Sequence, residues 1–221
     1  MRIAIIGTGN VGLALAGSFI KAGHSVTLAA RDADKTRQIA SKVGASAAAS
    51  AKEAAATAEV VVVAIPFGEV ESVAKSIASV TAGKVVIDAT NPLKADFSGL
   101  ATEGGPSGAE RLAKLLPDAA VVKAFNTVLA RLQANPNMYG TTLDALYATD
   151  DAHARKVMQE LITSMGFRAV DAGPLAGARE LEALAWLNIK LNASFNGSWT
   201  SSAVFLGLPA AATTEMVKTT N

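Results

Sequence analysis

Residues 3–12 read IAIIGTGNVG, and this stretch constrains the chain more than any other. A run of small and β-branched apolar residues ends at Gly7, and Gly9 and Gly12 complete a G-x-G-x-x-G spacing. The spacing alone is common, but here it follows a strand, opens a helical pattern over 10–21 and lies inside a strand–helix–strand unit of about 30 residues. A plain strand-to-helix turn would need one glycine, whereas this stretch has a steric use for each. Gly7 permits the tight turn, Gly9 lets the backbone approach a pyrophosphate, and Gly12 lets the helix pack close to the strand. The helix N-terminus then offers N–H groups and a positive dipole end to the anion. The expectation is a dinucleotide phosphate site built from Gly7, Thr8, Gly9, Asn10, Val11 and Gly12.

The remainder of the chain agrees with that beginning. Short apolar runs at 2–6, 25–29, 60–65, 84–88, 120–124, 145–149 and 167–171 alternate with helical patterns at 10–21, 32–43, 51–57, 69–79, 109–116 and 152–165. The strand runs are nearly continuous in apolar residues, so both faces of the sheet are covered by helices. Alternation of this kind predicts an α/β fold with a Rossmann-type doubly wound, mostly parallel sheet. The predicted organisation is a nucleotide-binding domain over 1–174, a small C-terminal helical appendage over 175–209 and a loose polar tail over 210–221.

Two segments break the rhythm. Residues 94–108, KADFSGLATEGGPSG, read as a long loop, either a surface insertion or a lid near the strand ends where such sheets bind ligands. Over 178–195, Leu181, Leu184, Ala185, Asn188, Leu191 and Phe195 recur at helical spacing and form a largely apolar stripe. Such a stripe can pack on its own domain. Little chain remains to cover it, so it also reads as the contact of a homodimer.

Composition narrows the function classes. Half of the 221 residues are apolar, and the net charge is +1 with both signs interspersed, which speaks against nucleic acid or an acidic membrane as partner. The chain has no cysteine, and its histidines are His24 and His153, so neither a thiolate nor a histidine metal site is expected. Gly7, Thr8, Gly9 and Asn10 interrupt the apolar N-terminal stretch that would otherwise imitate a signal peptide. No apolar run reaches the roughly 18 residues of a membrane span, and a cytoplasmic location is expected.

Residues 26–35, VTLAARDADK, decide which dinucleotide the site prefers. Where NAD-binding versions end the second strand in an acid for the ribose 2′-hydroxyl, this chain has Ala29 and Ala30, then Arg31. An acid would repel a 2′-phosphate, whereas the Arg31 guanidinium can grip it with paired hydrogen bonds. Lys35 adds a second charge one turn later, and the Thr8 hydroxyl can donate to the same phosphate. Asp32 opposes this reading unless it caps the following helix. NADP is expected in preference to NAD.

GTGNVG, AARDADK, AIPF at 64–67, DATNPL at 88–93, KAFNT at 123–127, TDD at 149–151 and DAGPL at 171–175 occur in that order. Together they resemble the NADPH-dependent reductases of the deazaflavin coenzyme F420, and the same unit is similar to the cytosolic domain of the STEAP metalloreductases. The resemblance spans roughly residues 1–206. It implies direct hydride transfer between C4 of a nicotinamide and C5 of a deazaflavin, without a covalent enzyme intermediate and without a catalytic side chain. Such chemistry requires two flat rings held about 3–3.5 Å apart with water excluded. The resemblance places Ile65, Pro66, Phe67 and Asn91 on the nicotinamide side and Asn126, Thr127 and Val128 against the second ring. Two positions depart from the archaeal pattern, Asn126 in place of a His and Phe67 in place of a Trp. The second substrate is then coenzyme F420 or a flavin, with a ferric chelate, a small carbonyl compound or NADP binding without turnover as alternatives. β-Hydroxyacid and imino-acid dehydrogenases share the first strand and helix but need a large helical C-terminal domain. Only 47 residues follow Pro174.

Overall fold

The fold starts from the glycine turn. In the computed structural model, which describes residues 1–138 and 140–208, strand β1 (Arg2–Ile6) leads through Gly7 into helix α1 (Asn10–Lys21). Gly7 has φ +120°, a Cβ on it would lie 2.1 Å from the Ala64 carbonyl oxygen, and its N–H donates to the Ala29 carbonyl at 2.8 Å. A Cβ on Gly12 would lie 2.1 Å from the Gly7 carbonyl oxygen, so only glycine lets α1 approach the strand this closely.

The chain continues through β2 (Ser25–Ala29), α2 (Ala33–Val43), β3 (Ser46–Ala47), α3 (Ala51–Thr57), β4 (Val60–Val63), α4 (Val70–Ile77) and β5 (Val85–Asp88). It then forms α5 (Gly108–Leu115), β6 (Ala120–Ala124) and a small hairpin of β7 (Asn137–Met138) and β8 (Thr141–Thr142). The last elements are β9 (Asp144–Thr149), α6 (Ala152–Ser164), β10 (Arg168–Asp171) and α7 (Ala178–Ser194). The eight-stranded sheet has the order β10-β9-β6-β5-β4-β1-β2-β3. Chain direction along the sheet order reverses between β1 and β4, which opens a crevice at their carboxyl ends.

Successive strand residues feed two separate cores. Ile3, Ile5, Val60, Val62, Val85 and Ile87 pack with Leu15 and Phe19 of α1 and with Met158 and Leu161 of α6. On the other face, Ala4, Ile6, Val61, Val63 and Val86 meet Ala54, Ala74, Leu112 and Ala178. Both faces are dry, as the continuous apolar runs require. Asp32 is the N-cap of α2, its carboxylate accepting the Lys35 N–H at 2.9 Å. Ser107 and Glu110 form a capping box on α5, where the loop expected over 94–108 ends.

Several features differ in detail from the sequence expectation. Strand β4 stops at Val63, because Pro66 has no N–H to continue the ladder. Strands β9 and β10 run parallel to each other but β9 is antiparallel to β6. A parallel return would require a crossover helix, and among the described residues the connection from β6 to β9 holds no α-helix, only one 3-10 turn at Ala130–Leu132 and the β7–β8 hairpin. Strand β3 and the β7–β8 hairpin are too short to show a period. The 171–175 motif lies at the amino edge of the sheet's main strands, opposite the crevice, and there turns the chain so that α7 runs back across the sheet.

Helix α7 divides the expected stripe. Leu181 and Ala185 are buried, whereas Leu187, Leu191 and Phe195 are 45%, 43% and 79% exposed. The segment that follows is strapped to the sheet: Arg168 forms paired bonds to the buried Asp144 carboxylate at 2.6 and 2.7 Å and donates to the Phe205 carbonyl. The tail expected over 210–221 lies outside the described residues. Among the described residues no helix is long and apolar enough to cross a membrane.

Candidate active site

A cavity of about 560 Å³ opens at the crevice between β1 and β4. Gly7, Thr8, Gly9, Arg31, Lys35, Ile65 and Pro66 line it, seven of the residues expected to hold the nucleotide. Gly9 has φ −77° and ψ −175°, extended backbone open to any residue, and nothing lies within 4 Å of where its Cβ would be. Its missing side chain therefore leaves space above the helix N-terminus, and a pyrophosphate fits that space.

One end of the cavity is cationic, lined by Arg31 and Lys35. Arg31 is exposed and makes one loose contact, its Nη1 3.5 Å from Glu69 Oε1. An ion pair this long and this wet contributes little, so a doubly charged phosphate can displace it. Asp32 turns its carboxylate into the helix cap, which removes it as a competitor. Glu69, Ser50 and Val73 also line the cavity and escaped the sequence reading, because they come from elements distant in sequence.

The remaining expected residues occupy other places. Asn10 and Val11 begin α1, and Gly12 is buried beneath the turn. Phe67 points toward α5: a Cβ on Gly108 would lie 2.9 Å from its ring, and the Arg111 guanidinium lies 6.0 Å from the ring centroid. Asn91 and Asn126, at the ends of β5 and β6, exchange side-chain amide bonds. Asn91 donates to the Asn126 carbonyl at 3.2 Å, and Asn126 donates to Asn91 Oδ1 at 3.1 Å and to the Leu181 carbonyl at 3.1 Å. Asn126 and Thr127 are buried, and Val128 belongs to the core. Thr90 Oγ1, Asn126 Oδ1 and Thr127 Oγ1 are buried without a hydrogen-bond partner. An unpaired buried oxygen costs about 1–3 kcal/mol.

Beside Thr90 lies a group that the sequence reading passed over. Lys123, the penultimate residue of β6, is fully buried with Asp88 and Glu182. Its Nζ donates to Asp88 Oδ2 at 3.0 Å and to the Thr90 carbonyl at 2.6 Å, and it is ion-paired with Glu182 Oε1 at 2.9 Å. Glu182 also accepts the Gly108 N–H at 2.9 Å, and burial pushes its carboxyl up from the usual range against the pull of Lys123. The signal was present in the AVVKA strand, since a lysine inside an apolar parallel strand must find partners. A second tie joins the same helices at the surface, where the Arg179 guanidinium holds Glu110 down to about 2.

A second cleft, of about 810 Å³, lies along α7. Leu184, Leu187 and Leu191 of α7, Met138 of the hairpin, Leu143 and residues of the strap around 200–206 line it. In sheet order the pair stands between the two cavities, at the β5 and β6 ends, with β4 on one side and β9 on the other.

Comparison with known proteins agrees with this geometry. Residues 2–92 match the family described as NADP oxidoreductase, coenzyme F420-dependent. The F420-dependent NADP reductase of Methanothermobacter thermautotrophicus is 37% identical over 210 residues, covering 87% of this chain and 89% of that protein. The chain belongs to the coenzyme F420-dependent NADP oxidoreductase family. Metalloreductase STEAP3 of Rattus norvegicus is 33% identical over 184 residues; the match covers 83% of this chain but only 36% of that longer protein. Among solved structures, one from Arthrobacter sp. FB24, assigned provisionally as an F420-dependent NADP reductase, superimposes with a TM-score of 0.85 at 28% identity. That match covers 93% of this chain and 99% of the other. Family membership makes the chain an NADP-dependent oxidoreductase, and the first cavity carries Arg31 and Lys35 in its lining.

Proposed function

We propose that this oxidoreductase transfers a hydride between NADP(H) in the first cavity and a flat deazaflavin or flavin ring that enters from the second cleft. The observation that carries the reading is the presence of two cavities, one lined by Arg31 and Lys35 and the other walled by α7, with the ends of β5 and β6 between them in sheet order. The name of the Methanothermobacter relative supports coenzyme F420 as the acceptor, and the likeness to STEAP3 makes FMN, FAD and ferric chelates the comparisons to run.

Bound NADPH supplies the hydride. The chain's residues bind and align: Gly9 and the start of α1 hold the pyrophosphate, Arg31 and Lys35 the 2′-phosphate, and Ile65 and Pro66 flank the nicotinamide. Asn126, Thr127 and Val128 shape the floor on the acceptor side. With C4-deuterated NADPH the chemical step should show a primary isotope effect, and with the deazaflavin, whose C5 forms a non-exchanging C–H bond, the label should be recovered on the acceptor. NADPH that binds but is oxidised by none of F420, FMN, FAD or a ferric chelate would refute the reading.

The outward half of α7 supports a homodimer, since Leu187, Leu191 and Phe195 together leave an apolar face in water. A second copy on that face would close the outer wall of the acceptor cleft. Light scattering should give twice the chain mass at micromolar concentration, and Leu191→Asp should halve it. A monomeric unmodified chain would remove the dimer.

A further inference from the structure

We propose that Lys123, clamped between Asp88 and Glu182, is a positioning residue that fixes α7 and the Asn91–Asn126 pair relative to each other. This rests on the hydride-transfer reading above and extends it to residues that touch neither ring.

Stability alone does not account for burying these groups. Removing charges from water costs several kcal/mol per ion, and apolar residues of the same volume often stabilise a fold as well or better. What the ions provide is geometry. Lys123 Nζ donates to Asp88 and to the Thr90 carbonyl and is ion-paired with Glu182, so three acceptors fix its position. The Thr90 bond holds the turn that presents Asn91. Asp88 Oδ1 accepts the Thr90 N–H at 2.9 Å and fixes the same turn from its other side. Through Glu182, Lys123 grips α7 one residue beyond Leu181, whose carbonyl accepts from Asn126. Glu182 Oε1 also accepts the Gly108 N–H, where the 94–107 segment rejoins the fold at α5.

The bonds therefore close a ring: Lys123, Thr90, Asn91, Asn126, Leu181, Glu182 and back to Lys123. Three separate segments meet in it, the turn after β5, β6 and α7, and the start of α5 is tied to it through the Gly108 N–H on Glu182. One wall of the acceptor cleft continues from α7 a turn later, at Leu184. A shift of α7 by a fraction of an ångström would change the distance between the two rings, and hydride transfer is steeply sensitive to that distance. The nucleotide cavity lies on β1, β2 and β4, outside the ring.

The test compares Glu182→Ala with Glu182→Gln in the full chain. Alanine opens the ring and leaves Lys123 paired with Asp88. Glutamine keeps an oxygen that accepts from Lys123 and Gly108. At temperatures well below unfolding, Glu182→Ala should lower kcat/KM at least about tenfold, for whichever of F420, FMN, FAD or ferric chelate the unmodified chain reduces. NADPH affinity should stay within about threefold, and Glu182→Gln should recover most of the lost activity. Should Glu182→Ala not fold, Glu182→Asp carries the same expectation, because it keeps the charge and withdraws it by one methylene. A folded ring-opening variant with unaltered kcat/KM would overturn the proposal, as would a glutamine variant no better than alanine.

If the unmodified chain reduces no acceptor, the hydride-transfer reading fails on its own, and hydrogen exchange decides the positioning role. Ring opening should then accelerate exchange at 89–92, 108–112 and 178–185 together while 7–12 stays unchanged. Acceleration confined to α7 would overturn it.

Discussion

Replacing Gly9 with leucine is expected to weaken NADPH binding by more than about a hundredfold, or about 2.7 kcal/mol, with almost no change in thermal stability. Most glycine substitutions in such turns damage the fold first. Gly7 is at positive φ beneath the Ala64 carbonyl, and Gly12 lies against the Gly7 carbonyl, so a Cβ at either would collide with backbone at 2.1 Å. Gly9 is different. Its backbone is extended and its Cβ position is empty, so leucine can be accommodated without strain and fills the space proposed for the pyrophosphate. Titration of NADPH fluorescence and a melting curve on the same variant separate the two effects. Unaltered NADPH binding in a folded Gly9→Leu chain would show that the cavity is not the nucleotide site.

The second large effect is expected at Arg31. The unmodified chain should bind NADPH at least about tenfold tighter than NADH, because a charge-assisted paired contact to the 2′-phosphate contributes about 1.5–3 kcal/mol. Arg31→Glu should erase or invert that preference, since it places a carboxylate beside Glu69 and against the phosphate. The residue is exposed and loosely held, so the exchange should not disturb α2, whose start depends on the Asp32 cap. The preference should also shrink with added salt, as a solvent-exposed charge contact must. Equal affinity for both nucleotides in the unmodified chain would remove Arg31 from its role.

The nucleotide half of the site was legible in the sequence because its determinants are local. The Gly7–Gly12 turn follows from the steric demands of six consecutive residues. Arg31, Asp32 and Lys35 share one strand end and one helical turn, so the Asp32 cap and the two cations beside it could be read from spacing. The strands were equally legible, since a run such as Val60–Val63, apolar on both faces, admits few other environments. The acceptor half was not. Asp88, Lys123 and Glu182 are far apart in sequence, and no period or motif relates them. Only the adjacency of β5 and β6 and the return path of α7 bring them into one ring. The 178–195 stripe showed that α7 had an apolar face, but where it leaves the sheet, burying Leu181 and exposing Leu191, depends on the turn after β10. The reversed direction of β9 came from a connection without a helix, too irregular to carry a periodic signal. Local sterics and charge spacing are written in neighbouring residues; which distant side chains face one another is decided by how the strands order and where a helix crosses them.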